Sequence, residues 1–220
     1  MSRYCSICET RHEKFNSFGY VRREDALCPY CSSLERHRLS WLIIKDKFKN
    51  KKLENKNLLH IAPEKVFMEK FNDLFGENYL TADLYDDNAK IKMDITSIEY
   101  PDESFDFIYC SHVLEHIVED KKAMRELNRV LKKDGWAILL VPIMTNGPTE
   151  EDFSITTSEE RMRSYGHPEH VRNYGPDYKN RLEESGWKVE IIYPEGFLLE
   201  KDIELMGITK AAGEIYFCTK

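Results

Sequence analysis

Beyond residue 57 the chain alternates between short apolar runs and stretches in which apolar residues return every three or four positions. The runs at 58–62, 79–84, 91–94, 105–111, 136–141, 187–193 and 214–219 predict strands. The run FDFIYCS at 105–111 is apolar on both alternating sets of positions, which predicts burial on both faces. Helical spacing marks 66–75, stopped by Gly76, and 177–185, ended by Gly186. It also marks 120–132, where Ala123, Leu127, Val130 and Leu131 share one side, and Asp134-Gly135 then turns the chain. From 34 to 48 the residues Leu39, Trp41, Leu42, Ile43 and Ile44 predict a helix packed on a larger domain, with 45–56 as its polar end and a linker. Residues 143–175 are irregular, polar and too long for a routine connection, which marks them as functional. Strands alternating with helices predict an α/β fold with a mostly parallel sheet, whose ligands sit at the carboxyl ends of the strands.

The first 34 residues follow another logic. Cys5-x2-Cys8, nineteen residues and Cys28-x2-Cys31 form two knuckles able to wrap four thiolates around one ion. Phe15, Phe18 and Tyr20 lie between them, too few to build a core unaided, so structural Zn2+ is expected to supply most of the folding free energy. Four thiolates leave no coordination position open for water. Cys110 and Cys218 stand alone in apolar runs and are expected to pack in the core. The expected organisation is therefore a four-cysteine, zinc-ribbon-like module at 1–34, a helix and basic linker at 35–56, and the main domain at 57–220.

Composition narrows the class. With 32% charged residues, and with its longest apolar run (136–144) broken by Pro142, the chain is not expected to span or bind a membrane. The opening MSRYCSIC lacks the apolar stretch of a signal peptide, which predicts a cytoplasmic protein. The net charge of −7 hides an asymmetry: residues 1–60 hold 13 Lys/Arg against 7 Asp/Glu, and the remainder holds 19 against 32. Arg22, Arg23, Arg36, His37 and Arg38 flank the cysteines. They read either as a solvated rim or as a face that meets a polyanion.

The text KMDITSIEYPDESFDFIYCSHVLEHI, followed by AMRELNRVLKKDGWAILLVPI, resembles the core of the class I S-adenosylmethionine-dependent methyltransferases of type 11. The resemblance covers most of residues 55–220. It implies a Rossmann-like sheet of seven strands in the order 3-2-1-4-5-7-6, the last antiparallel. It further implies that Asp83, ending the second strand, takes the cofactor's ribose hydroxyls, while Asp94 takes the adenine amino group beside the Ile95 amide. The residues alone leave other roles open: Asp83 as a turn or cap former, Asp94 bonded to the Thr96 amide. One departure stands out. Where the family carries G-x-G-x-G, this chain reads His60-Ile61-Ala62-Pro63-Glu64. Ala62 is small enough for close approach, and Glu64 suits either the cofactor's ammonium group or the helix dipole. His60, Ala62, Pro63, Glu64 and Ser111 complete the expected cofactor-binding set.

Methyl transfer is mainly a matter of alignment, and a base is needed only where the acceptor carries a proton. Histidine suits that work, and His112 and His170 are the expected catalytic residues, with His116 and His167 nearby in sequence. The spacing His112-x-x-Glu115-His116, with His170, also suggests a second divalent metal. Similar E-x-x-E-H sites occur in small-RNA 3′-end methyltransferases, although here His stands in place of the first Glu, a softer ligand. The expected activity is methylation of an O or N atom of a small polar acceptor such as a sugar, nucleotide or phosphoryl-bearing metabolite. The alternatives are an RNA methyltransferase that binds through its zinc module, and a non-catalytic module that kept the fold.

Overall fold

The computed structural model describes residues 2–19 and 22–220, so Tyr20 lies outside the described residues. The chain opens with β1 (Arg3–Cys5), β2 (Thr10–His12), β3 (Asn16–Phe18) and β4 (Arg23–Leu27), then α1 (Glu35–Phe48). It continues through β5 (Leu58–Ile61), α2 (Lys65–Phe75), β6 (Tyr79–Asp83), β7 (Ile91–Lys92), β8 (Phe105–Ser111), α3 (Asp120–Val130) and β9 (Leu131–Leu140). The last third adds β10 (Glu150–Glu151), α4 (Ser158–Tyr165), β11 (Arg172–Asn173), α5 (Tyr178–Glu184) and β12 (Lys188–Ile192). Two short helices, α6 (Pro194–Phe197) and α7 (Glu200–Leu205), precede β13 (Ile215–Thr219). No helix among the described residues is long and apolar enough to cross a membrane.

The chain divides into two compact units that do not follow the expected sequential boundaries at 34 and 56. The first unit gathers 1–54, 64–74 and 191–215. Side-chain packing explains why: Trp41 of α1 lies 6.3 Å from the Phe67 ring and 6.1 Å from Phe71, so α2 joins the N-terminal segments. In the same unit the buried Arg38 donates to the carbonyls of Ala26, Ser33, Met206 and Gly207, and sits 4.3 Å over the Phe15 ring. A buried guanidinium is tolerable only when its donors are satisfied, and here four carbonyls answer it.

The second unit comprises 55–63, 75–190 and 216–220. It holds most of a seven-stranded sheet in the order β12-β13-β9-β8-β5-β6-β7. β5 pairs in parallel with β6 and β8, β6 with β7, and β8 with β9, while β13 runs antiparallel to β9. Every residue of β8 is buried, as its apolar run predicts. The expected helix at 120–132 stops at Val130, because Leu131 joins the sheet opposite Phe105. The next residue of β9 in register is Trp136, opposite Phe107, so 132–135 bulges out where a simple turn was expected. Gly135 permits that return: a Cβ there would lie 2.5 Å from the Asp106 carbonyl oxygen. The chain goes from β5 to β6 on one side and on to β8 at the other side of β5. The strand order therefore reverses between β5 and β8, and a crevice opens at their carboxyl ends.

Candidate functional site

At that crevice the second unit encloses a cavity of about 550 Å3. Its lining combines apolar side chains (Ile61, Met93, Ile95, Val113, Ile117) with Asp83, Asp94, His112 and His116. Arg161 and Glu169 come from the polar segment 143–175.

Asp83 ends β6, and its Oδ1 accepts from the amides of Tyr85 (2.7 Å) and Asp86 (2.8 Å). These bonds fix the carboxylate at the rim and leave Oδ2 for a ligand, so the turn-forming role and a binding role coexist. Asp94 repeats the arrangement: its Oδ1 accepts from the Thr96 amide and hydroxyl, each at 2.8 Å. Ala62 follows β5 at φ +47, and its amide donates to the Ala82 carbonyl at 2.9 Å. The turn that glycine would form without strain is thus made by alanine, at a cost of about 1–2 kcal/mol.

His60, Pro63, Glu64 and Ser111 are not among the residues lining the cavity. His60 is fully buried within β5, where Nδ1 meets the Tyr79 hydroxyl at 2.8 Å and the ring stands edge-on to Tyr109. Its place in the set is corrected to packing inside the sheet. Pro63 only continues the loop toward α2. Glu64 belongs to the first unit, where one oxygen meets His37 Nε2 (2.7 Å) and Arg36 (2.8 Å). Burial would raise its pKa, but these two partners hold it well below the usual carboxylate range. It acts here as the counter-ion of α1. Ser111 ends β8 with a buried hydroxyl that has no hydrogen-bond partner among the described residues.

His112 adopts φ +56, and its amide donates to the Leu140 carbonyl at 2.9 Å. Two non-glycine residues in the left-handed region, Ala62 and His112, therefore line one cavity, and strain of this kind concentrates at functional sites. His112 Nδ1 lies 3.3 Å from Oε1 of Glu115, a carboxylate that is almost fully buried and has no hydrogen-bond partner among the described residues.

The expected quartet of His112, Glu115, His116 and His170 does not form. Leu114–His116 is a single 3-10 turn and α3 begins only at Asp120, so His112 and His116 do not share an α-helical face. His116 instead joins His167 and His170, with ring centroids 5.5, 4.8 and 4.5 Å apart. Burial, foremost, pushes the His170 pKa down to about 4. His170 also offers one ring nitrogen to this cluster. Sequence reasoning missed what assembles this corner. Arg172, fully buried, donates to the carbonyls of Leu114 (3.0 Å), Ile117 and Val118 (2.9 Å) and to the Glu151 carboxylate (2.8 Å). Its only sequence signal was membership of the long polar segment.

In the first unit, Cys5 Sγ lies 3.6 Å from Cys31 Sγ, and Cys8 Sγ lies 3.7 Å from Cys28 Sγ. All four thiols are within 4.8 Å of one another and none is in a disulfide.

Residues 56–139 match the model of a methyltransferase domain family, type 11. YcgJ of Bacillus subtilis (strain 168), an uncharacterized methyltransferase, is 37% identical over 76 residues, which is 34% of this chain and 28% of YcgJ. The matched segment thus spans less than a third of that relative. An S-adenosylmethionine-dependent methyltransferase from Mesorhizobium loti superposes with a TM-score of 0.54 at 12% identity, over 82% of this chain and 97% of its own. A phosphoethanolamine N-methyltransferase from Haemonchus contortus does so with a TM-score of 0.51 at 15% identity, over 83% of this chain and 52% of its own. At these identities the structural likeness is one of fold.

Proposed function

We propose that this chain is an S-adenosylmethionine-dependent methyltransferase that acts on an O or N atom of a small polar acceptor, such as a sugar, nucleotide or phosphoryl-bearing metabolite. The observation that carries the reading is Asp83. It ends β6, the neighbour of β5, on the rim of the cavity and within the segment that matches the methyltransferase domain.

The residues present fit the cofactor. Asp83 offers a carboxylate oxygen to the ribose hydroxyls, and charge-assisted bonds of this kind contribute about 1.5–3 kcal/mol each. Asp94 and the Ile95 amide suit the adenine edge, while Met93, Val113 and Ile117 supply apolar contact for its faces. When bound, the cofactor supplies a methyl group on a sulfonium, open to in-line displacement. His112 takes the acceptor's proton on Nε2. Glu115, whose Oε1 lies 3.3 Å from Nδ1, stabilises the positive charge that results. A thermal-shift measurement with S-adenosylhomocysteine tests the reading, and a wild-type protein that ignores the ligand would leave only a non-catalytic module.

The four cysteines are proposed to hold a structural Zn2+. Zn–S bonds of about 2.3 Å in a tetrahedron put sulfurs about 3.8 Å apart, close to the 3.6 and 3.7 Å between these thiols. A second reading of the acceptor, RNA, draws on one feature of the first unit. A groove of about 550 Å3 there is lined by Lys45, Lys49, Lys51 and Lys70 around Trp41 and Phe48. Salt-dependent RNA binding separates this reading from a small-molecule acceptor.

A further inference from the structure

We propose that His116, His167 and His170 bind one divalent transition-metal ion beside the cavity, in a site separate from the four cysteines. Each ring offers one nitrogen, and the three nitrogens lie within 4.8 Å of one another. Tetrahedral Zn–N bonds of about 2.0–2.1 Å require nitrogens about 3.4 Å apart, which modest side-chain rotation supplies. Three imidazoles packed at centroid distances of 4.5–5.5 Å repel one another when protonated, whereas an ion uses their lone pairs.

Two orphaned polar groups at this corner suit a cation nearby. His170 Nδ1 is buried with no hydrogen-bond partner among the described residues, as are both oxygens of Glu115. Glu115 precedes His116 directly, and its carbonyl accepts from Val171, the neighbour of His170, at 2.9 Å. A buried carboxylate with an imidazole at 3.3 Å as its ion-pair partner among the described residues is costly without positive charge nearby. A dication on the adjacent histidines supplies it.

The surroundings also prepare the ligands. His116 Nδ1 lies 3.3 Å from the Glu169 carbonyl. A proton donated there fixes the tautomer and leaves Nε2 as a ligand, the usual outer-sphere device of metal-bound histidine. The Arg172 guanidinium bolts the turn carrying His116 to the strand that follows His170, so two segments distant in sequence are held together. His167 is the weakest of the three, because its Nδ1 accepts from the Glu169 amide at 3.2 Å and this contact competes with the metal. Imidazole donors select zinc, cobalt, nickel or ferrous iron over magnesium or calcium. Three protein ligands leave at least one position for water or an acceptor oxygen. The use of that position in turnover rests on the methyltransferase reading, but the binding of the ion does not.

The test is metal binding by the full-length protein without cofactor. Equilibrium dialysis against Zn2+ or Co2+, followed by elemental analysis, should find two ions per chain, one of them insensitive to the histidine substitutions. His116→Ala and His170→Ala should each weaken the second ion by at least about a hundredfold, and His167→Ala by about tenfold. His112→Ala should leave its affinity within about twofold. Cobalt should show the weak visible bands of nitrogen ligands at this second equivalent, distinct from thiolate charge transfer. A wild-type protein that saturates at one ion overturns the proposal whatever the variants do. A second ion that survives both His116→Ala and His170→Ala overturns it equally. Binding of S-adenosylhomocysteine, measured separately, keeps failure of this site distinct from failure of the proposed activity.

Discussion

Cys5, Cys8, Cys28 and Cys31 come from two knuckles, each spanning four residues, and their four thiols lie within 4.8 Å of one another. The cavity of the second unit is built the other way. Asp83 ends one strand, Asp94 and His112 come after two others, and Arg161 and Glu169 arrive from a segment far along the chain. The first arrangement draws all four side chains from one short stretch of chain. The second lets a sheet stand by itself and hangs chemistry from its edge. Substitutions should therefore cost the fold in the first region and function in the second.

The largest effect is expected at the cysteines. Cys8→Ser should abolish stoichiometric binding of the sulfur-held zinc and unfold the module, because metal binding of about 10–16 kcal/mol stands behind so small a core. Zinc release titrated with a thiol reagent, with limited proteolysis of 1–34, measures it. A variant as protected as the wild type would break the contrast.

In the second region His112→Ala should lower turnover about a hundredfold or more, with affinity for S-adenosylhomocysteine nearly unchanged. Single-turnover kinetics separates the two quantities. A silent His112→Gln would remove the side chain from the chemistry, as would be the case for an acceptor that is already anionic.

These two regions also differ in how far the sequence disclosed them. The knuckle spacing anticipates the cluster of four thiols, and the strand runs at 58–62 and 105–111 reappear as β5 and β8. Asp83 was visible because a strand ended there. The histidine corner was not, since an i, i+3, i+4 spacing implies one helical face only if the segment is α-helical. Here Leu114–His116 closes as one 3-10 turn. His167 entered because Arg172 ties two remote segments together, a tertiary contact that no local pattern encodes. Glu64 looked like a cofactor ligand because its loop did, whereas its partners His37 and Arg36 lie in a helix earlier in the chain. The compact units differ from the expected segments in a similar way, as α2 packs with α1, an element earlier in the chain.

A smaller effect tests whether the sheet stands on its own interactions. Asp106 is buried and accepts from Lys132 (2.7 Å), Lys56 (2.9 Å) and the Asn57 amide (2.9 Å). Burial pushes its pKa up, but these partners outweigh it and bring the carboxyl below its ordinary value. A carboxyl depressed in the folded state stabilises it above the unfolded pKa of about 3.9, and that contribution is lost as pH falls through the folded value. Asp106→Asn should lower stability by about 1.5–3 kcal/mol at neutral pH and flatten the loss of stability below about pH 4. Urea unfolding across pH measures both, and an acid limb identical to that of the wild type would contradict the assignment.

The central claim is that the cavity at the carboxyl ends of β5, β6 and β8 binds the methyl donor through Asp83. Isothermal titration calorimetry with S-adenosylhomocysteine tests it most directly. The account predicts micromolar-range binding to the wild-type protein and at least about tenfold weaker binding to Asp83→Ala, the worth of one strong hydrogen bond. Absence of binding to a folded wild-type protein, or an Asp83→Ala variant that binds equally well, would contradict it.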